Sequence, residues 1–364
     1  MKKVLFVFSH PAPYKVHFLN LLAQHVHLTV VFERQLGSYS KKQYQNNPPF
    51  AFQTLELGGL TLGKENHYSR SLIRHLKQNS YDLIIMNGYS SFTEMMTIRY
   101  LIQHRIPYYL YVNGGVIRRE NLLKKRLKRF LISHAKGYFS PSAFVDPYLI
   151  HYGANPKHIY HYPYATIFAD DVLKQPLSRK AKMALRDRYQ LSHDHLTISV
   201  GQFIPRKNFL ALLHFWKTLP TSFHLLLVGD GPLLRRYEVF IRKNRMHNVT
   251  LKPFQPKYSL LEMYQASDAF ILLSKEDIYG HVVNEALSQG LPVMTTFQTI
   301  SGKQLLNETI GQLVDVHQPA SWRAAFEALV RIENIQPCLD KAKENTFETM
   351  VEAHRIVLKE ILQP

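Results

Sequence analysis

Two carboxylates eight residues apart, Asp277 and Glu285, form the most informative pair of side chains in the sequence. They lie in a segment that leaves an apolar strand, passes through an acidic loop and enters a helix, which we expect to begin near Tyr279. Asp277 then lies in the loop and Glu285 about two turns into the helix, so both can accept hydrogen bonds from the hydroxyls of a polyol. The alternative is that Asp277 caps the helix and Glu285 is exposed.

The amino end of that helix is a second candidate binding element, because helix amino termini attract phosphate. The residues expected to contact an anion there are Tyr279, Gly280, His281 and Val282.

Two further strand ends carry residues suited to an anion. Gly201 ends one predicted strand, and Arg206 and Lys207 follow it where the next helix begins, so backbone amides and two cations can face a phosphate. Gly229 and Gly231 end the next strand, where they allow a tight turn close to a ligand. Taken alone, a solvated cationic loop and an ordinary strand-to-helix turn explain these two segments equally well.

The elements that position these residues follow from a repeated pattern of short apolar runs and longer helical segments. Such alternation predicts parallel sheets covered by helices on both faces, with ligands at the carboxyl ends of the strands. The pattern weakens around residues 155–177, so we expect an α/β protein with two Rossmann-like, doubly wound domains. They are placed at residues 1–175 and 176–345, and a helix within 346–364 is expected to pack back toward the first domain.

The predicted strands and helices alternate along the chain. The predicted strands are 4–8, 28–32, 83–86, 108–112, 196–200, 223–228, 249–251, 269–273, 292–296 and 312–314, and the predicted helices include 16–25, 69–79, 91–103, 122–132 and 178–189.

Composition excludes several classes of protein. The chain has 364 residues, of which 46% are hydrophobic and 20% charged, so it is not disordered. Its one cysteine, Cys338, excludes a secreted disulfide scaffold and a cysteine-rich zinc framework. No apolar run approaches the length of a membrane-spanning helix, and the first strand is too short for a signal peptide. We therefore expect a cytoplasmic protein.

The net charge of +18 is unevenly distributed. Residues 1–174 contain 22 basic and 9 acidic residues, against 23 and 18 in residues 175–364. Much of the excess lies in the basic amphipathic segment 122–132, which favours an anionic membrane surface or nucleic acid as partner. In the membrane interpretation Leu127, Phe130 and Leu131 insert shallowly. The alternative is a solvated helix that packs its leucines inward.

In combination, the motifs resemble the family 4 glycosyltransferases of the two-domain GT-B architecture. The resemblance covers residues 196–314 well, where the order is a glycine loop with Lys-Asn, then Gly-Asp-Gly-Pro, then the segment with both carboxylates. The first half resembles the family in layout and in segments 9–14 and 111–115. The resemblance implies two Rossmann-like domains facing a cleft, a nucleotide-sugar donor on the second domain, an acceptor on the first, and retention of anomeric configuration.

The resemblance also assigns roles to individual residues. It implies that Glu285 binds the donor ribose, that Asp277 binds donor-sugar hydroxyls, and that Lys207 neutralises the diphosphate. Arg206 is expected to replace an arginine that the family usually has where this chain has Gln202.

Two other departures from the family pattern bear on activity. Asp277 stands where the family has glutamate, and its shorter side chain alters which sugar fits. Asn113 stands where many relatives have histidine, and an asparagine does not accept a proton at neutral pH.

The function expected from these observations is a retaining hexosyltransferase that uses a nucleotide-diphosphate sugar, UDP-linked, and acts on a lipid-linked or cell-envelope glycan. We expect peripheral association with the inner face of the membrane, no nucleic-acid partner, and no cofactor. A metal is not expected either, because the sequence has no Asp-x-Asp. Two alternatives remain open: an inactive GT-B subunit that supports a partner enzyme, and a basic nucleic-acid-binding protein.

Overall fold

The computed structural model describes residues 1–33, 48–62, 66–191 and 193–363 of the chain. Their contacts divide the chain into two compact units. The first comprises Met1–Tyr164 together with Phe347–Pro364, and the second comprises Ala165–Thr346. Each unit is built around its own parallel sheet, so the predicted α/β class with two Rossmann-like domains is confirmed.

The first unit contains the amino-terminal strands. Those described are β1 (Lys3–Phe8), β2 (His27–Phe32), β3 (Gln53–Glu56), β4 (Leu60–Leu62), β5 (Asn66–Tyr68), β6 (Leu83–Met86), β7 (Tyr109–Tyr111), β8 (Gly137–Ser140) and β9 (Ile159–His161). The main sheet has the parallel order β3-β2-β1-β6-β7-β8-β9, and β4 pairs with β5 in an antiparallel hairpin. The strand order reverses between β1 and β6.

The second unit repeats this arrangement. Its strands are β10 (His195–Val200), β11 (Phe223–Val228), β12 (Val249–Lys252), β13 (Ala269–Leu272), β14 (Val293–Thr296) and β15 (Gly311–Val314). They pair in parallel in the order β12-β11-β10-β13-β14-β15, so the strand order reverses between β10 and β13. Loops diverge at such a reversal and leave room for a ligand beyond the carboxyl ends of the strands.

Helices cover both sheets. Those described are α1 (Pro13–Leu22), α2 (Ser71–Gln78), α3 (Phe92–Gln103), α4 (Leu122–Ser133), α5 (Asp146–His151), α6 (Arg179–Tyr189), α7 (Phe209–Trp216), α8 (Leu234–Lys243), α9 (Lys257–Ala266), α10 (Val282–Ser288), α11 (Ile300–Leu305), α12 (Trp322–Leu329), α13 (Gln336–Lys343) and α14 (Phe347–Leu362). Within the described ranges, none of these helices combines the length and apolar character needed to cross a bilayer.

Helix α14 returns the chain to the first unit, where it packs against α1. Its residue His354 is buried among aromatic rings, stacked on Phe139 at a centroid distance of 5.2 Å and lying 4.6 Å from Phe18. The rings of Tyr111 and Tyr162 also contact it. Burial lowers the pKa of His354 to about 4, so the imidazole is neutral at pH 7.

The predicted elements match the observed ones closely where the sequence pattern is strong. The apolar run at β1 is fully buried from Val4 to Phe8, as expected for a strand covered on both faces. Helix α3 begins where Ser91 and Glu94 form a capping box. The strands that were not predicted are β3, β4, β5, β8 and β9. The first is an exposed edge strand, and the other four have only three or four residues and no continuous apolar run.

The second unit begins earlier than residue 176, where the sequence analysis placed it. Ile167 and Val172 are buried in the core of the second unit, and the backbone N–H of Leu173 donates to the carbonyl of Ser288 at 3.0 Å. Residues 165–175 therefore form part of this unit. Their irregular backbone gives no periodic pattern by which the sequence could assign them.

The basic segment forms helix α4, as predicted. Leu131 and Ile132 are buried, whereas Leu122, Leu123 and Leu127 are exposed. The alternative that this helix packs its leucines inward is therefore wrong for those three residues. The expectation that Leu131 is available to insert into a membrane is wrong as well.

Candidate active site

The loops that follow β10 and β13 lie side by side, because these strands are neighbours and end at the same edge of the sheet. The backbone N–H of Lys275 donates to the carbonyl of Arg206 at 2.8 Å. The side-chain amide of Asn208 donates to the carbonyl of Leu273 at 3.0 Å. These hydrogen bonds fix the loop that carries the two predicted cations against the loop that carries Asp277.

Lys207, Arg206 and Asp277 form one charged cluster at the strand reversal. The Lys207 ammonium donates to Oδ2 of Asp277, and the Arg206 guanidinium lies 3.3 Å from Oδ1. Lys207 and Asp277 are 8% and 6% exposed, whereas Arg206 is partly exposed. Two cations share one carboxylate, so the cluster is net positive and attracts an anion.

The acidic loop is tied to the segment after β14. The backbone N–H of Asp277 donates to the carbonyl of Gln298 at 3.1 Å. Ser301 makes two further hydrogen bonds to this loop. Its backbone N–H donates to the carbonyl of Tyr279 at 2.9 Å, and its hydroxyl donates to the carbonyl of Gly280 at 2.8 Å. The Tyr279 side chain is buried. The position of Asp277 is therefore fixed by hydrogen bonds between its loop and the segment that follows β14.

Helix α10 begins at Val282, three residues later than the sequence predicts. Gly280 has a φ of +93°, which interrupts the helical backbone, and a Cβ atom there would lie 2.6 Å from Cγ2 of Thr299. Glu285 consequently lies in the first turn of α10 rather than two turns in. His281 and Val282, both partly exposed, are the residues at the amino end of the helix.

Glu285 is neither a cap nor a solvated surface carboxylate. The hydroxyl of Thr166 donates to its Oε1 at 3.0 Å, and the hydroxyl of Tyr264 donates to its Oε2 at 3.4 Å. Burial raises the pKa of Glu285, and these two hydrogen bonds offset part of the increase. A carboxylate held in this way has acceptor capacity left for the hydroxyls of a ligand.

Close packing requires glycine at two of the three strand-end positions, Gly229 and Gly231, but not at Gly201. A Cβ atom on Gly229 would overlap the carbonyl oxygen of Gly201, and one on Gly231 would lie 2.7 Å from the carbonyl oxygen of Phe203. Close packing of the two loops therefore explains both of these glycines. A Cβ atom on Gly201 would meet nothing closer than 3.5 Å. Internal packing does not require Gly201.

Sequence reasoning missed the residues that support Glu285. Thr166 precedes it by 119 residues and Tyr264 by 21, so no local motif connects the three. It also missed Ser274, at the start of the acidic loop. The Ser274 hydroxyl is buried and makes no hydrogen bond to the described residues.

The corresponding edge of the first sheet also carries buried polar groups. The hydroxyl of Ser91 donates to Glu33 at 2.8 Å, and burial raises the pKa of the neighbouring Glu94. Lys15 is buried in the same unit. Oδ1 of Asn113, after β7, is buried and accepts no hydrogen bond from the part of the chain described. Of these residues, the sequence analysis considered only Asn113.

The arrangement of possible donor groups bears on metal binding. In residues 1–33, 48–62, 66–191 and 193–363, no group of three histidine, cysteine, aspartate or glutamate side chains is arranged to hold a metal ion. The charge at the strand reversal is supplied by Lys207 and Arg206.

Comparison with known proteins identifies the second unit. Residues 184–348 match the family of glycosyl transferases group 1. A D-inositol 3-phosphate glycosyltransferase of Rhodococcus jostii is 30% identical over 199 residues, which cover 51% of this chain and 42% of the relative. A putative teichuronic acid biosynthesis glycosyltransferase of Bacillus subtilis, TuaC, is 27% identical over 179 residues, 48% of this chain and 42% of the relative. The chain thus spans less than half the length of these curated relatives.

The likeness to solved structures extends over both units. The crystal structure of HepE from Anabaena in complex with UDP has a TM-score of 0.76 to this chain. The sequences are 14% identical, and the match covers 98% of this chain and 100% of HepE. At that identity the likeness shows the fold alone. With the group 1 match in its second unit, the chain resembles the family 4-like glycosyltransferases, and it has the GT-B fold over almost its full length.

Proposed function

We propose that the protein transfers a hexosyl unit from a UDP-linked sugar to a hydroxyl of a lipid-linked or cell-envelope glycan, with retention of anomeric configuration. The observation that carries the proposal is the charged cluster in which Lys207 and Arg206 converge on Asp277 at the strand reversal. The UDP bound to HepE supports the choice of nucleotide. The name of TuaC, which refers to teichuronic acid biosynthesis, supports a glycan acceptor.

The donor is expected to bind along the carboxyl edge of the second sheet. Glu285 accepts hydrogen bonds from the ribose hydroxyls, and Gly201 lets the backbone approach the ligand closely. The diphosphate binds Lys207 and Arg206, which Asp277 holds in position. Binding is favourable because two cations share one carboxylate, so the cluster keeps a net positive charge for the diphosphate.

The transfer step follows from where the charges lie. The bond between the anomeric carbon and the diphosphate oxygen breaks, and the electron pair stays on that oxygen. Lys207 and Arg206 stabilise the developing charge, an effect worth about 3–4 kcal/mol for each well-placed donor. The acceptor hydroxyl forms the new bond from the same face, and its proton passes to the leaving phosphate. Asp277 is a poor nucleophile for a double displacement, because both of its oxygens are held by cations.

The proposal is tested by a thermal-shift screen of nucleotide sugars followed by turnover. A UDP-sugar that binds only the folded protein raises the melting temperature by mass action. Transfer should require Lys207 and tolerate a change at Lys275, an exposed cation in the neighbouring loop. We expect Lys207→Met to lose activity and Lys275→Met to keep it.

The other outcomes separate the remaining candidates. Stabilisation by a nucleotide sugar without turnover on any glycan acceptor supports an inactive subunit, a role consistent with the departures at Asp277 and Gln202. If no nucleotide sugar stabilises the protein, the donor site proposed here is wrong.

A further inference from the structure

Helix α4 turns apolar side chains toward solvent. The exposed fractions are 72% for Leu122, 77% for Leu123, 45% for Leu127 and 39% for Phe130. With Arg126, these residues lie at positions that share one side of a helix. We call this set the outer face of α4. The preceding loop adds Val116 and Ile117, which are 45% and 47% exposed.

The outer face is bordered by basic side chains. Lys124, Lys125, Arg126 and Arg129 are exposed and form no ion pair with any residue of the described ranges. The helix contains no acidic residue. A cationic border around exposed apolar side chains is the pattern of a helix that lies at the surface of a membrane.

Lys128 differs from its neighbours, although the sequence places it in the same basic run. Its ammonium lies 2.7 Å from the carboxylate of Glu120 and 3.2 Å from the hydroxyl of Tyr152. It also lies 4.8 Å from the centre of the Tyr152 ring. Lys128 therefore anchors the helix to the first unit and is not free to bind an external anion.

We propose that the outer face of α4 docks the protein reversibly on a lipid bilayer that contains anionic headgroups. Lys125, Arg126 and Arg129 bind the headgroups, and Leu122, Leu123 and Phe130 insert among the upper parts of the acyl chains. A second copy of this chain is a poor occupant of the face, because two cationic borders repel each other. Nucleic acid offers the cations a partner but leaves the exposed leucines in water. Docking requires neither the donor nor turnover, so it is independent of the proposed function.

The first experiment is cosedimentation of the full-length protein with vesicles of phosphatidylcholine alone or mixed with phosphatidylglycerol. The variant K125Q/R126Q/R129Q should lose about a hundredfold in its partition coefficient at low salt, because each basic residue near an anionic surface contributes about fivefold. The matched control is K174Q/R179Q/K180Q, which removes three exposed cations from the second unit and should bind like the wild type.

The second experiment reports insertion directly. The natural tryptophans, Trp216 and Trp322, are both buried, so a new surface tryptophan adds a distinct signal. In Leu123→Trp, emission should shift to the blue on addition of anionic vesicles. In Met183→Trp, placed at a 51% exposed position of α6, it should stay unchanged.

The results decide the proposal even if one variant folds poorly. Binding to anionic vesicles that falls with salt, is lost in the α4 variant and is kept in the control supports docking. Failure of the wild type to bind at low salt overturns it, and so does an equal loss in both triple variants. Binding of duplex DNA without any blue shift of Leu123→Trp on vesicles assigns the basic border to nucleic acid instead.

Discussion

At the scale of single residues, we propose that Glu285 costs the folded protein stability and binds the donor. Burial raises its pKa, so the ionised carboxylate is less favourable in the folded protein than in the unfolded chain. We expect Glu285→Gln to raise the melting temperature of the free protein and to weaken UDP binding at least tenfold, since charge-assisted hydrogen bonds contribute about 1.5–3 kcal/mol each. Differential scanning fluorimetry with and without UDP measures both effects.

The control for this change is Glu308→Gln, at an exposed position of the same unit. It should alter neither the melting temperature nor the response to UDP. Unchanged UDP affinity in Glu285→Gln would remove Glu285 from the donor site.

Asp277 and Lys207 form a buried ion pair. Changes at the two residues should therefore have non-additive effects on the free energy of unfolding. Removing one buried partner leaves the other charge uncompensated, at a cost of about 3–5 kcal/mol. Lys207→Met should therefore destabilise the protein more than the double variant Lys207→Met/Asp277→Asn. Chemical denaturation of the two single variants and the double variant measures the coupling. Additive changes in the free energy of unfolding would show that the contact contributes nothing.

The same pair supports a different proposal for Asp277 from the sugar-binding role that the family resemblance implies. Its two oxygens already bind Lys207 and Arg206, so it positions the cations that are to meet the diphosphate. Asp277→Asn should weaken UDP as much as it weakens a UDP-sugar, which calorimetry with both ligands can measure. Loss of discrimination among sugars with normal UDP affinity would support the sugar-facing role instead.

At the scale of elements, the sequence predicts the strands that are continuous apolar runs, because a run such as Val4–Phe8 has one structural interpretation. It does not predict β8, which is also buried but has no such run. It also predicts that Lys207 and Asp277 lie in loops at the carboxyl ends of strands, since both follow buried parallel strands. Contacts that depend on distant segments could not be predicted. The pairing of Thr166 with Glu285 and the exposed leucines of α4 arise from packing across the fold, which leaves no periodic signal.

Helix α14 gives an element-scale prediction through His354. As the pH falls below about 6.5, the unfolded chain binds a proton at this position before the folded protein does, because the folded pKa is about 4. Stability should therefore fall by about 3 kcal/mol between these pH values and then level off. His354→Phe should reduce this pH dependence, and the exposed His25→Phe should not. Urea denaturation across the pH range tests this, and an unchanged slope in His354→Phe would contradict it.

At the scale of the whole molecule, a net charge of +18 attracts polyanions in general. We expect duplex DNA to bind at low salt, to dissociate steeply as salt rises, and to leave the thermal shift caused by UDP unchanged. A filter-binding salt titration, run beside the thermal-shift assay, measures both. Tight DNA binding at physiological salt that displaces UDP would favour a nucleic-acid-binding protein over a transferase.

The return of α14 to the first unit also determines the order of events during synthesis. On the ribosome, residues 1–164 emerge first, but Phe18, Tyr111 and Phe139 lack the helix that covers them until the entire second unit has been made. The second unit contains its own core and can close earlier. A nascent chain that stalls before α14 therefore displays an open aromatic surface, which chaperones and proteases recognise, while its second unit is already complete.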